Sequence, residues 1–319
     1  MGGPARGANN LRMMQRFAAV AARFEPGIDA SLSHIGRAVA AARARGAGMV
    51  VLPEGALGGY MRADGSTGPP LDLDGPEIAR LCAAAGDVVV CAGFTERGPG
   101  LPYSSAVCVS GDGVLGHQRK VHLPPSELDA FAAGSSFAAF EAPVGRVGML
   151  ICYDKLFPEA ARTLALDGAE VIASMSAWPL TRTDPARRTS GDPQTRQFNL
   201  LDEARAVENQ VVWVSANLTG RIGPLRFPGQ AKVVDPDGEV IARTGRRPGL
   251  AVGAVDPVAA IGRSRTRICH LGDRAAGAYA LERPAPPARQ PATRDAAGRA
   301  PAQAPQPLPA LPAAVPAPA

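Results

Sequence analysis

Short apolar runs recur along the chain and alternate with segments of helical pattern, and this alternation constrains the fold more than any other feature. Each run has the length of a fully buried strand. The runs cover residues 48–53, 87–93, 144–152, 169–174 and 210–216. Helices are predicted for residues 28–45, 76–85, 158–167 and 195–208. Buried strands that alternate with helices predict an α/β fold with a mixed sheet.

Hairpins and terminal strands complete the predicted elements. Gly111-Asp-Gly113 and Asp235-Pro-Asp-Gly238 have the composition of tight turns, so each is predicted to join two antiparallel strands. The remaining strands are predicted at residues 16–24, 103–110, 113–119, 230–234, 239–243 and 250–255.

Composition divides the chain into three parts. Residues 1–13, which are mostly Gly, Ala, Asn and Arg, are predicted to be a flexible N-terminal extension. Residues 14–282 carry all the predicted strands and helices and form one predicted domain. Residues 283–319 are rich in Pro and Ala and cannot bury enough apolar surface to fold, so we predict a disordered tail.

Charge and hydropathy argue against a membrane partner and against a nucleic-acid partner. The 319 residues are 46% hydrophobic and 20% charged, which is enough for a substantial core. No apolar run has the length of a membrane span and no secretory segment is recognised, so we expect a cytoplasmic protein without a membrane partner. The net charge of +5 is spread along the chain, and the short Arg-rich pieces lack interleaved aromatic residues. We therefore expect no nucleic-acid partner.

Cysteine and histidine usage argues against bridges and metals. Five cysteines, an odd number without paired spacing, do not suggest a disulfide framework. The chain has no C-x-x-C pair and only four histidines, so we expect no metal site.

Cys152 is the most informative single residue. It follows an apolar run and precedes Tyr153, Asp154 and a Pro158-Glu159 pair. A strand that delivers a nucleophile to a turn, with a helix beyond it, is a good way to hold a reactive group. Free cysteine is also among the most buried residue types, and an inert core thiol is the alternative.

A reactive thiol needs a base and a group that stabilises a developing negative charge. His122 could be the base or a supporting hydrogen-bonding group. Glu54 ends an apolar strand, where partial loss of water suits a carboxylate to proton transfer, and it is the better candidate. Lys120 follows a strand-like segment and could supply an ammonium to the developing negative charge. The alternative for Glu54 is an exposed strand-end glutamate, and the alternative for Lys120 is an ordinary surface lysine.

Three strings that contain these residues resemble the signature of the nitrilase superfamily of carbon-nitrogen hydrolases. They are Leu52-Pro-Glu54-Gly, Arg119-Lys120-Val-His-Leu-Pro and Ile151-Cys152-Tyr-Asp154. Further similar strings are Phe157-Pro-Glu159-Ala-Ala-Arg162, Gly168-Ala-Glu-Val-Ile, Ser176-Ala-Trp178-Pro, Arg205-Ala-Val-Glu208-Asn209 and Val234-Asp-Pro-Asp-Gly238. The resemblance covers residues 14–282 and makes this segment the predicted carbon-nitrogen hydrolase domain.

The resemblance implies a four-layer αββα sandwich, with two mixed β-sheets between helical layers. It also implies a Glu-Lys-Cys triad in which Glu54 is the general base, Lys120 stabilises the oxyanion and Cys152 is the nucleophile. Glu127 matches a second glutamate that holds the lysine in many members, and Asp129 is its rival. The resemblance implies no metal and no organic cofactor.

Tyr153, Trp178 and Tyr60 are the candidate substrate-binding residues, and a core position is the alternative for Trp178. Asp154 is expected to cap the following helix. Lys155 is expected to be a surface or ion-paired lysine, with binding of an anionic group as the alternative. Because members of the superfamily usually assemble, we expect a homodimer or a larger homo-oligomer.

The residues after the thiol favour a linear primary amide, hydrolysed to a carboxylic acid and ammonia through a thioester. True nitrilases typically carry Trp-Glu at this point, whereas Tyr153-Asp154 resembles the amidase and carbamoylase branches. Hydrolysis of an N-carbamoyl compound or of a nitrile is the alternative. A non-catalytic scaffold and an acyltransferase represent other classes of function.

Overall fold

The computed structural model describes residues 14–61, 66–181, 186 and 188–282. The predicted N-terminal extension and the predicted tail lie outside these residues, so both stay predictions. Contacts divide the chain after Arg274, and the fold described below belongs to the part that precedes this division.

All the predicted strands and helices are present, with ends shifted by a few residues. The helices are α1 (Ile28–Arg43), α2 (Pro76–Ala85), α3 (Pro158–Leu166), α4 (Pro193–Asn209) and α5 (Pro257–Arg267). The first strands are β1 (Gln15–Ala21), β2 (Met49–Val51), β3 (Val89–Glu96), β4 (Tyr103–Ser110), β5 (Gly113–Arg119), β6 (Phe140–Ala142) and β7 (Gly145–Ile151). The others are β8 (Val171–Ser176), β9 (Val212–Asn217), β10 (Thr219–Ile222), β11 (Leu225–Pro228), β12 (Lys232–Val234), β13 (Val240–Arg243) and β14 (Gly249–Val255).

The main sheet consists of two similar halves. In one half β1, β2 and β3 are parallel, β4 and β5 continue the sheet in antiparallel pairing, and β14 pairs antiparallel with β1. In the other half β7, β8 and β9 are parallel and are flanked by β6 on one side and by β12 and β13 on the other. The halves meet at the pair Ala21 and Asn217, so the two predicted sheets are joined into one sheet of 12 strands.

Three apolar clusters separate the layers. Successive β1 side chains point to opposite faces, so Phe17 and Ala19 join a central cluster between the half-sheets, while Ala18 and Val20 join the cluster beneath α1 and α2. A third cluster, which includes Trp213, lies beneath α3 and α4. Complete burial of a side chain such as Phe17 contributes about 1.5–3 kcal/mol. The order helix, sheet, sheet, helix confirms the predicted αββα sandwich.

The candidate site residues follow strand ends that share one edge of the sheet. Glu54 lies just beyond β2, Lys120 directly follows β5, Cys152 directly follows β7 and Ala177 directly follows β8. Because β2, β5, β7 and β8 run in the same direction, their carboxyl ends lie at the same edge. The fold thus gathers polar residues that are distant in sequence.

Gly93 on β3 lies directly against the loop that carries Glu54. A Cβ atom at Gly93 would lie 2.6 Å from the backbone nitrogen of Gly55 and 2.8 Å from the Cα atom of Glu54. Both neighbours are backbone atoms, which cannot rotate away. The position of Glu54 therefore depends on a residue without a side chain in the neighbouring strand.

We predict that Gly93→Ala lowers the free energy of unfolding by about 1–3 kcal/mol, because the added methyl group displaces the Glu54 loop. The matched control is Gly262→Ala in α5, where nothing lies within 4 Å of the added Cβ atom. Alanine in place of a helical glycine stabilises by up to about 1 kcal/mol. Urea unfolding of both variants measures the contrast, and equal stabilities would contradict the close approach.

Candidate active site

Lys120 is fully buried and connects two buried carboxylates. Its Nζ atom donates hydrogen bonds to Glu54 Oε1 at 2.8 Å and to Glu127 Oε2 at 2.7 Å. Burial by itself lowers the pKa of this ammonium, but the negative charges of Glu54 and Glu127 outweigh burial and raise the pKa above its ordinary value. Lys120 is therefore a permanent positive charge in the site, not a surface lysine.

Both oxygens of Glu54 have hydrogen-bond donors. Besides Lys120, Oε1 accepts a hydrogen bond from Ser104 Oγ at 3.2 Å, and Oε2 accepts one from the backbone N–H of Ala177 at 3.1 Å. Only 1% of Glu54 is exposed, so the alternative of an exposed strand-end glutamate is wrong. These bonds fix the orientation of the carboxylate.

Cys152 begins the 3-10 turn Cys152–Leu156 and has a φ of 48°. A left-handed backbone is costly for a residue with a side chain, and such strain concentrates at functional sites. Burial, followed by the charge of Glu54, raises the pKa of the thiol well above its ordinary value, while Lys120 and the backbone of Ala177 oppose the rise. The thiol is consequently neutral near pH 7 and needs a base to become a nucleophile.

Asp154 holds the turn after Cys152. Its carboxylate accepts hydrogen bonds from the backbone N–H groups of Ile151 at 3.2 Å and His122 at 2.8 Å. The ring of His122 also contacts this carboxylate and stacks on Phe157 with 3.6 Å between ring centroids. The prediction that Asp154 caps α3 is wrong, because Phe157 precedes that helix without a side-chain cap. His122 thus contacts the turn as a supporting group.

Glu127 is buried against Lys120, whereas Asp129 is exposed, so the geometry favours Glu127 over its rival. The hydroxyl of Tyr60 donates a hydrogen bond to Glu127 Oε1 at 3.0 Å. Burial and then the charge of Glu54 raise the pKa of Glu127, against the opposing effect of its bonds to Lys120 and Tyr60. The predicted substrate-binding residue Tyr60 is therefore part of the hydrogen-bond network around Lys120.

A pocket of about 470 Å³ opens over Cys152, within the usual size range of small-molecule sites. All three predicted substrate-binding residues, Tyr60, Tyr153 and Trp178, lie in its wall. Trp178 is only 4% exposed, so it belongs to the core as well as to the wall. Residues that the sequence analysis did not single out also line the pocket, among them Leu156, Gln194, Gln197, Ile222 and Leu225. Among the described lining residues, Glu127 is the one with a charged side chain.

A second buried charge cluster, which the sequence analysis missed, lies beside the turn. Lys155 donates to Asp202 Oδ1 at 2.8 Å, and Lys232 donates to Asp202 Oδ2. The Lys155 ammonium also lies 3.4 Å from the ring centroid of Phe198. All three charged residues are fully buried, so the cluster of two lysines and one aspartate holds an excess positive charge. Lys155 is therefore ion-paired as expected, but it is not at the surface.

The cluster changes the titration of Lys155. Burial lowers its pKa to about 8, and the charge of Lys232 adds to this effect, whereas Asp202 opposes it. Burial also lowers the pKa of Lys232. The excess charge is thus removed by deprotonation well below the ordinary pKa of lysine.

No group of three or more His, Cys, Asp and Glu side chains among the described residues is placed to hold a metal ion. No helix within the same residues is long and apolar enough to cross a membrane.

A model of the carbon-nitrogen hydrolase family matches residues 11–262, and the chain belongs to this family. The predicted membership of the nitrilase superfamily is confirmed, since its structural neighbours include an amidase described as a member of that superfamily.

Curated relatives include both amidase and nitrilase names. A Pseudomonas protegens protein described as the hydrolase in the pqqF 5' region is 35% identical over 243 residues, 73% of this chain and 80% of that protein. An (R)-stereoselective amidase of a Pseudomonas species is 34% identical over 62% of this chain and 69% of the amidase. A probable nitrilase of Schizosaccharomyces pombe is 34% identical, but the match spans only 53% of this chain and 60% of that protein.

Solved structures have the same fold. A carbon-nitrogen hydrolase from Helicobacter pylori matches with a TM-score of 0.74 at 23% identity, covering 84% of this chain and 97% of that one. An amidase from Nesterenkonia sp. AN1, a glutamate-to-glutamine mutant, matches with a TM-score of 0.67 at 26% identity over 82% of this chain and 94% of that one. In that structure the acetamide moiety of fluoroacetamide is bound covalently to the active-site cysteine.

We predict opposite effects on stability for two substitutions in the second charge cluster. Asp202→Asn leaves two buried ammonium groups without a counter-charge and is expected to cost about 3–5 kcal/mol. Lys155→Met removes the excess charge and leaves one ion pair, so it is expected to be neutral or stabilising. Urea unfolding at pH 7 measures both, and a larger loss for Lys155→Met would overturn the charge argument.

A comparison of the wild type with Lys155→Met tests how the stability depends on pH. The pKa of Lys155 is about 8 in the folded state, below its ordinary value of 10.5. Between these two values the unfolded chain binds more protons, so Lys155 makes the free energy of unfolding rise with pH in this window. Below about pH 8 the full cost of the buried charge remains. The difference in unfolding free energy between the wild type and Lys155→Met should therefore shift in favour of the wild type from pH 8 to pH 10, and a constant difference would contradict this.

Proposed function

We propose that this protein hydrolyses linear primary amides with an uncharged, mainly apolar acyl group to a carboxylic acid and ammonia. One observation carries the proposal: Lys120, held between Glu54 and Glu127, lies beside a neutral thiol at the base of an apolar pocket. The covalent adduct on the active-site cysteine of the Nesterenkonia amidase supports the same chemistry.

In the first half-reaction Glu54 accepts the thiol proton while the sulfur of Cys152 bonds to the amide carbon. The carbonyl electron pair moves to oxygen, where Lys120 and the backbone N–H of Tyr153 stabilise the negative charge. Collapse of this intermediate breaks the carbon–nitrogen bond as Glu54 returns its proton to the nitrogen. Ammonia leaves and a thioester remains on Cys152.

In the second half-reaction Glu54 removes a proton from water, and the resulting hydroxide attacks the thioester carbon. The second tetrahedral oxyanion meets the same donors, so one arrangement serves both halves of the cycle. Breakage of the carbon–sulfur bond releases the acid, and Glu54 returns the proton to the thiolate. Glu127 acts as a positioning residue, because its bond at 2.7 Å fixes the Lys120 ammonium.

The pocket wall supports an uncharged acyl group. Leu156, Ile222 and Leu225 offer apolar contact, while Gln194 and Gln197 offer neutral hydrogen-bonding groups. A substrate carboxylate, as in an N-carbamoyl amino acid, would need a cation, and the described lining residues supply none. A nitrile fits the same wall and remains the second candidate, because relatives of this chain carry that name.

A panel of substrates tests the proposal through ammonia release. We expect turnover of butyramide, with kcat/KM at least about tenfold lower for succinamate and for 4-aminobutyramide, because burying an unpaired charge in the pocket is costly. Propionitrile and N-carbamoylalanine complete the panel. Ammonia release from propionitrile with none from any amide would contradict the proposal and show that the protein hydrolyses nitriles.

We predict that Cys152→Ala abolishes amide turnover because it removes the nucleophilic sulfur, and that the protein stays folded because only one side-chain atom is lost. The control Cys269→Ala alters a half-buried thiol outside the pocket and should keep wild-type turnover. Unfolding curves and ammonia release measure the two properties separately, and an active Cys152→Ala variant would overturn the assignment of the nucleophile.

We predict that Glu127→Gln, which keeps the shape and removes the charge, lowers kcat by at least about tenfold through loss of the fixed ammonium. The matched control is Asp129→Asn, which removes an exposed charge two residues away. We expect this control to behave like the wild type, and the reverse result would make Asp129 the partner of Lys120.

A further inference from the structure

A second depression lies on the opposite face of the β10–β11 hairpin from the active-site pocket. Its volume is about 680 Å³, and we call it the arginine pocket. It is lined by Arg221, Arg226, Arg246 and Arg247, together with Leu180 and Phe227. Because successive side chains of a strand point to opposite faces, Arg221 and Arg226 face this depression, while Ile222 and Leu225 face the active site.

The four guanidinium groups concentrate positive charge that the described carboxylates do not neutralise. None of them forms an ion pair within the part of the chain that the structure describes, whereas other exposed arginines do, such as Arg97 with Asp72. Arg221 and Arg226 are moreover direct cross-strand neighbours, a placement that destabilises a hairpin when both carry the same charge. A bound anion would remove this repulsion.

A neighbouring depression extends the basic surface. Arg246 lines this depression as well, together with Arg188 and Arg243. Its wall includes Thr195, a residue only 2% exposed, whose Oγ1 atom has no hydrogen-bond partner among the described residues. This hydroxyl is buried and unsatisfied in the wall of the second depression, and the basic surface continues from the arginine pocket past it.

The arginine pocket is connected to the catalytic network by direct contacts. The ring of Phe227 packs edge-on against that of Tyr60, with 6.3 Å between centroids. Tyr60 donates to Glu127, which in turn holds Lys120. The backbone of β11 also accepts a hydrogen bond from Leu180 at 2.7 Å, close to the Trp178 wall. A shift of the hairpin would therefore move the pocket wall near Trp178 and, through Tyr60 and Glu127, change the position of Lys120.

We propose that the arginine pocket binds a small anion of the phosphate class that carries two or more negative charges, such as a diphosphate, and that its binding alters turnover at Cys152. The planar guanidinium fork binds phosphate oxygens in pairs, and an anion with several such oxygens can engage more than one arginine at once. One carboxylate would leave most of the charge uncompensated. The effect on turnover rests on the proposed amidase function, but the binding does not.

Isothermal titration of the full chain with sodium pyrophosphate, at constant ionic strength, tests the binding. We expect saturable binding that is tighter than that of orthophosphate and is weakened at least about tenfold in the double variant Arg221→Gln/Arg226→Gln, since charge-assisted hydrogen bonds are lost. The control is Arg37→Gln/Arg263→Gln, which removes two arginines that line neither depression. No saturable binding, or an equal loss in the control, would overturn the proposal.

Ammonia release from butyramide with and without pyrophosphate tests the effect on turnover. We expect kcat or KM to change on addition of pyrophosphate in the wild type, and to change less in the Arg221→Gln/Arg226→Gln variant. Binding without any change in turnover would overturn the coupling. If no amide is hydrolysed, the proposed function fails while the titration still decides the binding. Binding of duplex DNA with none of pyrophosphate would show that the surface serves a macromolecule.

Discussion

The burial of Lys120 is the constraint on which the rest of the site depends. An ammonium without water is several kcal/mol less stable than in solution unless negative groups surround it. Glu54 and Glu127 provide these charges from two different loops, at 2.8 Å and 2.7 Å. Each loop is in turn held by its own contacts, Glu54 by the absence of a side chain at Gly93 and Glu127 by Tyr60. A change in either loop would leave a buried charge unpaired, so the strand ends that carry them must keep their relative positions.

The two buried charge clusters carry opposite net charge. Lys120 with two carboxylates has an excess negative charge, which adds to the effect of burial in raising the pKa of the neighbouring Cys152 thiol. Lys155, Asp202 and Lys232 have an excess positive charge, and Lys155 is three residues from Cys152 in the same turn. Burial lowers the pKa of Lys155 and a negative charge on Cys152 opposes this, so a thiolate formed there and the Lys155 ammonium stabilise each other. The second cluster therefore offsets part of the cost of ionising Cys152, the proposed nucleophile, without lining the pocket.

The sequence predicted the elements that local pattern determines and missed those that tertiary contact determines. Continuous apolar runs indicated the buried strands, and strand-end positions with the family resemblance indicated Glu54, Lys120, Glu127 and Cys152. The Lys155–Asp202 pair joins residues 47 apart in sequence, and no local pattern relates them. The hairpin β10–β11 was missed because its strands have four residues each and carry charged side chains. Helix α5 did have a local signal, Asp256 before Pro257, where the aspartate caps the first turn.

The sequence predicted the residues at the strand ends of the main sheet, but it missed the β10–β11 hairpin that forms part of the pocket wall. Glu54 and Cys152, the proposed base and nucleophile, follow the parallel strands β2 and β7, which have neighbours on both sides, whereas Lys120 follows the edge strand β5. The pocket walls, which contact the acyl group in the proposed reaction, come partly from a two-stranded ribbon outside the main sheet. A two-stranded ribbon is marginally stable by itself and depends on what packs against it. Because one face of this ribbon lines the active site and the other carries unpaired arginines, its position is the property of the pocket that a ligand outside the active site can most readily change.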